Sequence, residues 1–91
     1  MAQVIVTMKI MPEGVDTDLS AVEIEATKLI TEFGGAVGKS EQEPIAFGIK
    51  ALKLMFIMSE DIGSTESLED DVRKLANVAS VDVIDVRRTV G

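Results

Sequence analysis

Between Gln3 and Phe33 the spacing of apolar residues changes from every second position to every third or fourth, and this change constrains the fold more than any other feature of the chain. Val4, Val6, Met8 and Ile10 alternate with Ile5, Thr7, Lys9 and Met11, as in a strand with one wetter face, until Pro12 and Gly14 end the pattern. Leu19, Val22, Ala26, Leu29, Ile30 and Phe33 then recur at helical spacing. Asp16 or Asp18 stands where a helix cap belongs and Gly34-Gly35 where a helix stops, so a helix is expected over 18–34.

The same change of period occurs a second time. Leu52, Leu54, Phe56 and Met58 share one parity while Ala51, Lys53, Met55 and Ile57 share the other, which predicts a strand over Ile49 to Met58. Val37 to Ala46 is weakly patterned, but it lies between breakers and leads into that strand, so a short strand is expected with Phe47-Gly48 at the hairpin. Ser64 or Thr65 then caps a helix expected over 65–77. Glu66, Glu69, Asp70 and Asp71 lie in its first turns, near the positive end of its dipole, and Leu68, Val72 and Leu75 form its inward stripe. Ser80 to Val86 reads as a last strand, although apolar residues on both parities leave its register open.

The order β-α-β-β-α-β is the ferredoxin-like arrangement, an α+β two-layer sandwich with two helices on one face of a four-stranded antiparallel sheet. A chain of 91 residues buries roughly 60–65% of its unfolded surface, enough for one core, so residues 1–91 are expected to form one domain. The helix-free face should then carry Ile5, Thr7, Lys9, Met11, Ala51, Lys53, Met55 and Ile57. That set suits either a partner surface or an ordinary amphipathic outer face.

Composition removes many kinds of chemistry. The chain has no Cys and no His, which excludes disulfides, thiolate nucleophiles, zinc or copper centres and imidazole acid–base catalysis. A net charge of −7 without any basic tract repels phosphate backbones, and three Phe are too few stacking platforms for a single-strand binder, so no direct nucleic-acid partner is expected. No apolar run reaches 18 residues and Met1-Ala2-Gln3-Val4 does not resemble a leader, so no membrane partner and a cytoplasmic location are expected. The acidic cluster at Glu66, Glu69, Asp70 and Asp71 lacks the ligand spacing and glycine of a calcium loop. Glu41 and Glu43 with Glu60 and Asp61 read as solubilising strand-end charge. No catalytic residue, metal site or cofactor is expected.

Two motifs remain. In Glu43-Pro44-Ile45-Ala46-Phe47-Gly48-Ile49-Lys50, Pro44 fixes a backbone angle and Gly48 tolerates a positive φ, which holds Phe47 near a hairpin tip. By composition alone, a Phe47 folded back over a helix end is the commoner arrangement. In Asp85-Val86-Arg87-Arg88, two planar donor forks on a tail leaving the last strand suit a phosphate or carboxylate, with loose pairing to local acids as the alternative.

The string at 43–52, the strand end Lys9-Ile10-Met11-Pro12 and the closing Asp85-Val86-Arg87-Arg88 occur in the order and spacing of the elongation factor 1-beta family, and from about Gln3 to Arg88 the chain resembles that family's short archaeal form. The resemblance implies a stand-alone guanine nucleotide exchange domain acting on elongation factor 1-alpha by protein–protein contact, not as an enzyme. It implies partner contacts through Phe47, Gly48, Lys50, Arg87 and Arg88. In eukaryotic relatives the hairpin aromatic wedges against the GTP-binding domain and a lysine near the C-terminus enters the Mg²⁺ region. Phe47 matches the first; Arg88 stands opposite the second, with Arg87 beside it and Thr89-Val90-Gly91 extending past it. Two other functions are compatible with this fold. An acylphosphatase-like enzyme needs an Asn to place water, and the single Asn, Asn77, lies away from any phosphate-cradling loop. A regulatory or ligand-sensing module would act through the open sheet face.

Overall fold

The computed structural model describes residues 2–89, so the expectations that involve Met1, Val90 and Gly91 lie outside the described residues. The elements are β1 (Gln3–Pro12), α1 (Leu19–Phe33), β2 (Ala36–Ala46), β3 (Ile49–Ser59), a 3-10 turn (Glu60–Ile62), α2 (Glu66–Arg73) and β4 (Val78–Arg88). The sheet is antiparallel in the order β2-β3-β1-β4, the ferredoxin-like topology. Its core face carries Val6, Met8 and Ile10 from β1, Leu52, Leu54, Phe56 and Met58 from β3, and Val81 from β4. These pack with Leu19, Val22, Ala26 and Ile30 of α1 and Leu68 and Val72 of α2 in one buried cluster.

Local chemistry places the helix ends. Asp18 Oδ1 accepts hydrogen bonds from the Ser20 and Ala21 N–H groups at 3.0 and 3.4 Å, and so starts α1. Gly34 ends it in the left-handed region at φ 108°, and the Gly35 N–H then donates to the Ile30 carbonyl at 2.9 Å. Gly35 is needed for space: a Cβ there would lie 2.9 Å from Ile30 Cγ2 and 3.0 Å from Phe56 Cδ2, two fully buried side chains. Leu29 and Leu75, expected in the inward stripes, pack against the core but remain half-buried.

Helix α2 starts one residue later and ends four residues earlier than its expected 65–77. Its hydrophobic stripe ends with Val72, and Asn77 adopts φ 68°, turning the chain so that Val78 can pair with Pro12. At its start the Ser64 hydroxyl accepts from the Glu66 N–H at 3.1 Å, while Thr65 donates to the Glu69 carboxylate at 2.8 Å. Strand β4 is longer than expected and runs to Arg88. Its ambiguous parity has a structural cause: the register with β1 shifts between Thr7↔Asp85 and Met8↔Val83, leaving Ile84 as an extra residue. Val81 and Val83 therefore share the core face with Val86 although their spacing breaks simple alternation.

On the helix-free face Thr7 and Ala51 are buried and Ile5, Lys9, Met11, Lys53 and Met55 are half-buried, with Ile57 more open. Lys9 and Lys53 stand directly opposite each other, an unfavourable pairing that Glu43 relieves through an ion pair with Lys53. The face thus mixes these two lysines with the half-buried Ile5, Met11 and Met55 and the exposed Ile57.

Candidate functional site

The two candidate motifs lie at opposite ends of the sheet. Ile49, next to the hairpin turn, and Met58, in register through Val4 with Arg88, are separated by roughly 30 Å at about 3.3 Å per residue. The molecule is 42 Å along its longest axis. Phe47 and the two arginines therefore lie too far apart to form one site.

At the hairpin end, β2 and β3 are joined by a loop of two residues, Phe47 and Gly48, between the paired Ala46 and Ile49. Both have positive φ, 52° and 78°, as a type I′ turn requires. Such turns favour Asn-Gly because a bulky L side chain at positive φ is strained by about 1–2 kcal/mol. Phe47 nevertheless occupies the strained position, and its side chain is 96% exposed. The aromatic does not fold back over a helix end; a two-residue turn is too short to return it to the core. Lys50, two residues on, is also exposed and makes no ion pair among the described residues.

An exposed ring on a strained turn contributes nothing to folding that Asn would not improve. Phe47→Asn should therefore raise stability by about 1 kcal/mol, read as a higher denaturant midpoint at unchanged slope. A lower midpoint would show that the ring supports the fold.

At the opposite end the arginines are part of β4, not of a tail, because pairing with β1 continues through Ile5↔Arg87 and Val4↔Arg88. Successive strand residues face opposite sides of a sheet, so Arg87 emerges on the helix-free face and Arg88 on the helix side. They cannot grip one anion together. Arg87 Nε donates to Asp85 at 2.9 Å. Arg88 meets Glu60 in a two-point fork, Nε to Oε2 at 3.0 Å and Nη2 to Oε1 at 2.9 Å. Both partners are exposed, so the pair is worth about 0.2–1 kcal/mol and a competing carboxylate or phosphate can displace Glu60 at little cost. Glu60 was legible only as strand-end charge, since this contact joins residues 28 positions apart.

Charges on β2 and β3 pair at the edge of the sheet, Lys39 with Glu41 and Lys53 with Glu43. A hydrogen bond and the positive charge of Lys53 hold the Glu43 carboxyl below its ordinary value of 4.5, and Lys39 does the same for Glu41. Glu43 in turn raises Lys53 above 10.5. Depressed carboxyls contribute stability above pH 4.5 that is lost as pH falls through their folded values; the raised amine contributes below pH 10.5 and loses it as pH rises through its own. With no His in the chain, the thermal midpoint should be flat between about pH 6 and about pH 9 and fall outside that window. A step within the window in a pH series would contradict this assignment.

A sequence model of the EF-1 guanine nucleotide exchange domain matches residues 5–89, which includes both motifs. The chain belongs to that family. Among relatives of this exchange domain, elongation factor 1-beta of Methanobrevibacter smithii is 47% identical over 88 residues, covering 97% of this chain and 98% of the relative. That of Methanococcoides burtonii is 44% identical over 90 residues, covering 99% and 100%. Membership gives the exchange domain a nucleotide-exchange role in translation elongation. Among solved structures, the ACT domain of GTP pyrophosphokinase from Chlorobium tepidum superposes with a TM-score of 0.61 at 20% identity, over 90% of this chain and 99% of that one. The C-terminal domain of MgtC from Mycobacterium tuberculosis superposes at 0.58 with 14% identity, over 98% of this chain and 87% of that one. Both share the fold only. No helix among the described residues is long and apolar enough to cross a membrane.

Proposed function

We propose that this exchange domain promotes replacement of GDP by GTP on elongation factor 1-alpha in the cytoplasm, as a single domain that works by binding alone and makes or breaks no covalent bond. The observation that carries the reading is Phe47, an almost fully exposed aromatic held on a strained two-residue turn. A GTP-binding protein holds its nucleotide through a phosphate loop, a Mg²⁺ ion and switch segments. A factor that binds more tightly when that grip is broken weakens nucleotide binding by the same factor, by linkage.

In this reading Phe47, with Gly48 allowing the turn and Lys50 beside it, supplies an apolar wedge. Arg88 leaves Glu60 to engage acidic or phosphate groups near the nucleotide, and Arg87 supports the contact from the other side of the strand. A guanidinium is broader than an ammonium, so Arg88 competes for anionic groups and does not imitate a metal ion. Because the two ends of the sheet lie roughly 30 Å apart, the partner surface must be at least that long.

The test is release of labelled GDP from elongation factor 1-alpha with and without this protein. Acceleration by a substoichiometric amount is the expected result. Release at the spontaneous rate in the presence of folded protein would overturn the proposal.

A further inference from the structure

The loop between β1 and α1 brings a second exposed apolar group to the hairpin end. Val15 is 59% exposed, and its Cγ1 would lie 3.7 Å from a Cβ built on Gly48, so this side chain rests against the turn that carries Phe47. Ile45, at the register shift that precedes the turn, is also exposed. Three exposed apolar residues from two segments thus lie at the hairpin end of a chain with a net charge of −7. Neither the hairpin nor the loop needs Val15 for packing: it is absent from the buried cluster and from the side chains packed against it.

We infer that Val15 is a second partner-binding residue, forming with Phe47 one continuous apolar knob that fits a concave apolar surface on the nucleotide-binding partner. The inference rests on the exchange reading above and adds to it a contact from outside the hairpin. Two neighbouring groups that enter the same apolar surface lose water together, so removing one weakens what the other contributes. Groups at opposite ends of the sheet have no such dependence.

A double-mutant cycle on stimulated GDP release tests this. Val15→Ser should slow release about threefold to tenfold, while Val15→Ile, which keeps the apolar surface, should match the parent protein. Val15→Ser combined with Phe47→Ala should slow release by less than the product of the two single effects; combined with Arg88→Ala it should give the full product. Circular dichroism and thermal midpoints establish that each variant is folded, which the exposed loop position favours. Slow release by Phe47→Ala together with parent-like release by Val15→Ser would overturn the inference and leave the exchange reading intact. Parent-like release by both would remove the inference and the role of Phe47 with it. Slow release by Val15→Ser that multiplies in full with Phe47→Ala would show two separate contacts, overturning the single knob.

Discussion

Phe47→Ala is expected to slow stimulated GDP release tenfold or more while leaving the protein at least as stable as its parent. The ring makes almost no contact with its own chain, being 96% exposed, so its removal creates no cavity. Alanine at φ 52° is also less crowded than phenylalanine, and the turn still has Gly48 at its second position. Any large loss of exchange must then come from the partner contact, where a tenfold change corresponds to about 1.4 kcal/mol. Arg88→Ala should slow release as well, and the residual activity should respond less to added Mg²⁺. Because the two sites are roughly 30 Å apart and share no neighbour, the double variant should show the product of the single effects. Parent-like rates in both single variants, with folds intact, would mean that the residues singled out by family resemblance do not act in this chain.

Phe56→Ala should have the largest effect on stability, about 3–5 kcal/mol, from lost burial and the cavity left behind. Phe56 is fully buried in the sheet's core face, pairs in register with Val6 on β1 and Val37 on β2, and lies close to Gly35. Domains of this size have total stabilities of about 5–15 kcal/mol, so the variant should melt lower by about 12–40 °C. Ile30→Ala belongs in the same class at about 2–5 kcal/mol. Leu29→Ala and Leu75→Ala, natural choices from the helical spacing, should cost less because both side chains are half-buried. A Phe56→Ala midpoint within a few degrees of the parent would show that the core face has been misassigned.

Much of this was legible locally. The alternation in β1 and β3 and the spacing in α1 record directly which side of each element is buried, since side-chain direction in regular structure depends only on the element's own period. Asp18, Gly34 and the Phe47-Gly48 turn are short-range signals of the same kind. The weak pattern of β2 follows from its position: as an edge strand it is exposed along almost its whole length, and nothing requires its residues to alternate. In β4, the extra residue Ile84 broke the alternation on which a sequence reading of register depends.

The amino-acid order by itself determined the succession of elements, the core-facing residues of β1 and β3, the sharp hairpin at Phe47 and the lack of thiol and imidazole chemistry. Each follows from residue type and near neighbours. Family resemblance, a property of the whole string, added the exchange role and pointed to candidate partner-binding residues. Tertiary structure alone decided that Phe47 points away from the chain, that Phe47 and Arg88 occupy opposite ends, that Arg87 and Arg88 face opposite sides, that Glu60 holds Arg88, and that Val15 rests beside the turn. These depend on strand register and on contacts between residues distant along the chain. A shift of one position in pairing reverses which face a side chain takes, and hydrophobic spacing contains no term for the partner strand.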